Sequence, residues 1–132
     1  MCGAVQISLP ALPDTYGSCA CDMCRRATGS MFRNIWVADA DLRLTGNDTV
    51  RTFDSSAWAE RGFCGECGSP LWYRMKEGDH RGLSLGLFDD TEHLIAGDLY
   101  YSDKPICKTL RQSPANPMTE SETLAHFTRG DA

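Results

Sequence analysis

Apolar and polar residues alternate along this chain in short runs, each ended within a few residues by glycine, proline or a polar turn. Val5 to Leu9 reads Val-Gln-Ile-Ser-Leu, a strand pattern stopped by Pro10 and Pro13. Asn34 to Val37 is short and β-prone. Asp41 to Leu44 alternates, and Gly46-Asn47-Asp48 predicts a turn before a strand from Val50 to Phe53. Leu71 to Tyr73, Leu83 to Leu87 and Leu99 to Tyr101 predict further strands.

Helical patterning is sparse. Asp22 to Thr28, closed by Gly29, suits two turns carrying Cys24, Arg25 and Arg26. Thr119-Glu120-Ser121-Glu122 has the form of a capping box before Leu124, Ala125 and Phe127. Gln112 to Met118, with two prolines, reads as an irregular tail. The expected fold class is mainly β with short helices, in one domain over residues 1–132 whose core ends near residue 105.

Composition narrows the function. A 42% apolar share is that of a globular protein, and a formal charge of −5 disfavours nucleic acid or an anionic membrane surface as partner. No secretory leader opens the sequence and no run approaches the length of a membrane helix, so a cytoplasmic protein is expected. In a reducing compartment, seven cysteines favour metal binding or catalysis over disulfides.

Five of those cysteines fall in two knots, Cys19-x-Cys21-x-x-Cys24 and Cys64-x-x-Cys67, with Cys2 and Cys107 apart. Thiolates this close converge readily on zinc, which takes four such ligands in a tetrahedron. Spacing alone permits two partitions. Cys21, Cys24, Cys64 and Cys67 make one ribbon-like site and leave Cys19 and Cys2 idle. Alternatively, Cys2 joins Cys64 and Cys67, and Cys19 joins Cys21 and Cys24. Gly3 after Cys2 matches Gly68 after Cys67, since a glycine there lets backbone N–H groups turn toward the sulfur.

The flanking residues extend these motifs. Cys2-Gly3-Ala4-Val5 is followed by Cys19-x-Cys21-x-x-Cys24-Arg25-Arg26. Then come Ser55-Ser56-x4-Arg61-x-Phe63-Cys64-x-x-Cys67-Gly68 and Gly86-Leu87-Phe88-Asp89. Together they resemble the glutathione-dependent formaldehyde-activating enzyme and centromere protein V family, over residues 2 to about 105. The resemblance implies a mainly β fold, the β-tent, stapled by two zinc ions per chain. It implies a structural zinc on Cys2, Cys64 and Cys67, and a catalytic zinc on Cys19, Cys21 and Cys24. The family usually begins C-x-C-G, and only the second of those cysteines, Cys2, is present here. An upstream start, three sulfurs completed by water or another group, or loss of the site would each account for this, and the second of the two zinc sites is expected to be partly empty.

The implied activity is that of a carbon–sulfur lyase. A thiol that completes a three-thiolate zinc site is deprotonated there and becomes a nucleophile toward an aldehyde. The resemblance supplies glutathione and formaldehyde as substrates, giving S-hydroxymethylglutathione. The competing expectation is a zinc-stapled binding module without turnover. Arg25 is assigned to substrate binding, holding a glutathione carboxylate together with Arg26; a solvated helix face is the plainer reading. Ser55, Ser56 and Arg61 have two readings: they line the same cleft or, as favoured here, the serines cap a turn and Arg61 braces the backbone. His80, His93 and His126 read as surface residues, and Trp36, Trp58 and Trp72 as core or cleft wall. Asp89-Asp90 reads as a turn, and Cys107 as a small core residue.

Overall fold

A computed structural model describes residues 1–100. The expected second helix, the irregular tail, Cys107 and His126 therefore lie outside the described residues. Two sheets, one short α-helix and two 3-10 turns account for the regular structure that is described. No described helix is long and apolar enough to cross a membrane.

The smaller sheet pairs β1 (Gln6–Ser8) with β4 (Arg43–Thr45), antiparallel, with Ile7 opposite Leu44. Both of those side chains pack against the main core. The predicted strand from Asp41 starts later than expected. Asp41 and Leu42 donate backwards to the carbonyls of Ala38 and Asp39, so the chain is still turning there.

The larger sheet has seven strands, in the order β5 (Val50–Asp54), β6 (Ala59–Cys64), β7 (Pro70–Met75), β8 (His80–Ser84), β3 (Phe32–Ala38), β2 (Thr15–Cys19), β9 (Ile95–Tyr100). All neighbours are antiparallel except β2 and β9, which run parallel. Two of these strands escape sequence patterning. Tyr16-Gly17-Ser18 shows no alternation, and Glu60, Arg61 and Gly62 give β6 a polar centre. Both strands are internal to the sheet, so their ladders hold them regardless of propensity.

The expected strand from Leu83 to Leu87 ends at Ser84. Pairing with β3 stops at Asn34 opposite Ser84, and Leu85–Leu87 close into a 3-10 turn in which Phe88 donates to the Leu85 carbonyl. Leu85 and Leu87 still reach the core by this route.

Alternation along β3 divides the molecule. Ile35 and Val37 join Leu71, Trp72 and Leu83 in the buried core, with Ile35 directly opposite Leu83. Phe32, Asn34 and Trp36 point to the other face. The chain enters that face through Cys19, at the end of β2, and the helix α1 (Asp22–Thr28) that follows.

Candidate metal centres and cleft

Local geometry assembles the first sulfur set. Cys19 is the last residue of β2 and lies opposite Phe32 of β3. Cys21 is the N-cap of α1, in extended backbone, and its Sγ lies 3.5 Å from the Cys24 amide nitrogen. This is the usual work of a serine or aspartate cap done by sulfur. Cys24 follows within the first turn, buried. Gly29 ends the helix in left-handed backbone and donates to the Arg25 carbonyl, as the sequence predicts.

The Sγ atoms of Cys19, Cys21 and Cys24 all lie within 4.8 Å of one another. Zinc–sulfur bonds of about 2.3 Å at tetrahedral angles put sulfurs roughly 3.8 Å apart, so small side-chain adjustments suffice to hold one soft cation.

The second set draws on distant segments. Cys2 comes from the N-terminal stretch, Cys64 ends β6, and Cys67 lies on the turn beyond it. The Cys2 and Cys64 sulfurs are 3.7 Å apart, and all three lie within 4.8 Å of one another. Gly3 and Gly68 both take positive φ, 77° and 74°, so the chain turns straight after each sulfur where a side chain would be strained.

The ribbon-like partition is thereby overturned: Cys21 and Cys24 do not share a site with Cys64 and Cys67. Cys64 stands three residues along β6 from Arg61, the residue that faces α1. Strand alternation therefore sends Cys64 to the opposite side.

The thiols are unlike in acidity. Burial pushes Cys24 up to about 12, although Arg61 beside it works the other way. Burial also opposes ionisation of Cys21, yet the Cys24 amide and the neighbouring thiols outweigh it and hold Cys21 below the ordinary thiol value. The Ser69 hydroxyl and amide, which favour the thiolate, bring Cys67 down to about 6. At Cys2 the Ala4 amide pulls downward, but the Cys67 and Cys64 sulfurs leave it raised.

A cavity of about 410 Å³ opens beside the first set, and Cys19, Cys21 and Cys24 all face it. No comparable cavity among those described is lined by Cys2, Cys64 or Cys67. Its walls are apolar: Phe32, Trp36 and Tyr73, with Met23 and Met75. The Trp36 and Tyr73 rings meet edge to face, 6.1 Å between centroids. The polar side chains on the wall are Arg61 and Asn34.

Arg61 Nη2 donates to Cys24 Sγ at 3.4 Å, and its guanidinium lies 5.8 Å from the Phe32 ring and 5.2 Å from the Tyr73 ring. It therefore lines the cleft, the alternative to the backbone brace that the sequence reading favoured. The signal was present in its fixed place before Phe63 and Cys64, but strand β6 had to be known for its direction to be read.

The remaining predicted residues fall as follows. Arg25 is not brought to the cavity wall; its guanidinium pairs with Asp22, one turn back on α1. Arg26 is exposed and reaches the same carboxylate at 3.9 Å. Ser55 and Ser56 donate through their amides to the Ala59 carbonyl, closing a turn as expected. Trp72 is core, Trp36 is cleft wall and Trp58 is exposed. His80 and His93 are at the surface, His80 against Asp79 at 2.7 Å. Asp89 lies in a turn, its carbonyl accepting from Thr91.

Comparison with known proteins adds three likenesses. The family model described as glutathione-dependent formaldehyde-activating enzyme matches residues 1–103. An uncharacterized lyase of Schizosaccharomyces pombe is 26% identical over 109 residues, which cover 81% of this chain and 79% of that protein. The crystal structure of a Rhodobacter sphaeroides protein superposes with a TM-score of 0.58 at 21% identity, covering 76% of this chain and 94% of that one. At that identity the last likeness speaks for the fold.

Proposed function

The chain belongs to the glutathione-dependent formaldehyde-activating enzyme family, and from that premise we propose that it is a carbon–sulfur lyase joining a thiol to an aldehyde and splitting the adduct. Glutathione and formaldehyde are the pair this reading favours, because the family description names them. The name of the fission-yeast relative, a lyase, is consistent with it. One observation carries the reading: three converging cysteine sulfurs form part of the wall of a substrate-sized cavity.

Cys19, Cys21 and Cys24 would hold the active zinc, and Cys2, Cys64 and Cys67 a second, fold-stapling one. The active ion, when bound, would take a fourth sulfur and keep an incoming thiol as the nucleophilic thiolate. A divalent ion on three thiolates leaves one negative charge, and Arg61 is placed to balance it. Phe32, Trp36 and Tyr73 give the cavity an apolar wall, and a weakly polar surround strengthens charges set against it.

The chemistry balances without a further reactant. The thiolate lone pair forms the carbon–sulfur bond while the carbonyl π pair moves onto oxygen. That oxygen then takes up a proton equivalent to the one the thiol gave up. The lyase direction is the reverse.

Two-dimensional exchange NMR on zinc-reconstituted protein tests the proposal. With glutathione and formaldehyde present, free thiol and adduct are expected to interconvert faster than without protein. No acceleration, together with no thiol binding, overturns the reading and leaves a zinc-stapled binding module.

A further inference from the structure

We propose that Asn34 is a catalytic residue, its side-chain N–H donating to the aldehyde oxygen as negative charge gathers there. The inference rests on the thiol–aldehyde reading above and assigns a part of that reaction to a residue on no recognised motif.

Asn34 is the one buried polar side chain among the described residues, only 5% exposed. It sits on β3 between Phe32 and Trp36, all three on the cavity wall. Its carboxamide makes no hydrogen bond within the described residues. The Oδ1 atom is sealed and unpartnered, packed against Gly82, where a Cβ would come within 3.1 Å of it. With Oδ1 turned toward Gly82, the amide nitrogen is the carboxamide atom left to meet the cavity.

Sheet register places this donor usefully. Cys19 lies opposite Phe32, and Gly17 lies opposite Asn34. Asn34 is therefore the diagonal neighbour of Cys19, a relationship that typically spans about 7–8 Å, with Cβ atoms somewhat closer. Gly17 has no side chain to stand between them. A thiol seated at the sulfur set and extended by one aldehyde carbon carries its oxygen two bonds beyond the sulfur, into that interval.

Physical cost argues for use. A buried polar group without a partner destabilises the fold, whereas leucine of similar size would carry no such penalty. A pre-aimed donor at the point where alkoxide charge develops is the arrangement that favours the transition state over the ground state. Carbonyl addition creates that charge: the π pair of the C=O bond becomes an oxygen lone pair as the C–S bond forms.

Asn34→Asp keeps the shape and removes the donor, and Asn34→Leu removes all polarity. Both are expected to lower kcat about 100-fold while glutathione Kd, read by calorimetry on zinc-loaded protein, stays within about twofold. Asn34→Leu is expected to melt at or above the wild-type temperature, because it removes an unpartnered polar group. A second readout needs no variant and no rate. The ¹⁵N side-chain amide signals of Asn34, assigned through bonds, should shift when glutathione and formaldehyde are added together. Glutathione alone should leave them in place.

Parallel loss of melting temperature and glutathione binding in the two variants overturns the assignment, and so does an Asn34 signal that moves equally with glutathione alone. If a variant does not fold, the wild-type signal decides. A wild-type protein that binds glutathione and turns over, with Asn34 signals unmoved, sinks this inference alone. A wild type that neither binds nor turns over sinks the lyase reading with it.

Discussion

Arg61 Nη2 lies 3.4 Å from Cys24 Sγ, and the two residues are 37 apart in the chain. Strand β6 carries the guanidinium, α1 carries the sulfur, and the rings of Phe32 and Tyr73 flank the arginine. A planar cation held against an aromatic wall, with one N–H aimed at sulfur, is suited to stabilising thiolate charge that a metal leaves unbalanced.

Removing that cation should therefore weaken metal binding and catalysis together. Arg61→Met keeps much of the packing and loses the charge-assisted hydrogen bond, worth about 1.5–3 kcal/mol. The expected result is a fall of roughly tenfold to a hundredfold in kcat/KM, with zinc lost to a chromophoric chelator at lower chelator concentration. Arg61→Lys should recover only part of this, since an ammonium lacks the fork. Unchanged zinc competition in Arg61→Met would return Arg61 to the role of a brace.

The two sulfur sets should separate by mutation. Cys21→Ser is expected to abolish activity, drop the metal content from two zinc to one per chain, and leave the far-UV circular dichroism intact. Cys64→Ser is expected to lose the other ion and to melt at markedly lower temperature. Cys64 is buried at the end of β6, where metal binding is coupled to folding. Equal melting of the two variants would contradict the division into an active and a stapling ion.

Metal retention should fall as pH falls, with different profiles at the two sites. Ligands must be deprotonated to bind, so each thiol still protonated at the working pH makes affinity rise tenfold per pH unit. Cys24, pushed up to about 12 by burial, contributes such a rise throughout the neutral and alkaline range. Cys67, held near 6 by Ser69, contributes nothing above that value and a decade per unit below it. Zinc release measured against a chelator from pH 5 to 9 should thus show an additional step near pH 6. Cys67→Ser should remove it.

Gly62 lies beneath the Trp72 indole, and a Cβ built there would come 2.2 Å from Trp72 Cε2. Trp72 is buried and belongs to the core cluster with Ile35 and Leu83. Gly62→Ala is expected to cost about 1–3 kcal/mol through overpacking, read as a lower urea midpoint with an unchanged slope. An unaltered midpoint would mean that the indole has a second seat.

What could be read from the sequence is what lies within a turn or two of itself. Cys21, Cys24 and Gly29 specify α1 and bring two sulfurs together by helical spacing alone, and Cys19 is only two residues away. The alternation at Gln6–Ser8 announces a strand, because one half-buried face imposes a period of two, while Val50 to Phe53 and Leu71 to Tyr73 are marked by residue type and flanking turns. The joining of Cys2 to Cys64 and Cys67 was one of two partitions that spacing allowed, and the side to which β6 turns its residues decided it. Strand β2, which lacks alternation, and β6, with its polar centre, became visible only once neighbours on both sides supplied their hydrogen bonds. Arg61 and Asn34 belong to the cavity for the same reason: each is placed by strand register across tens of residues. Spacing fixes which atoms are close along the chain, but a sheet's register fixes which distant ones meet, and no local pattern encodes that.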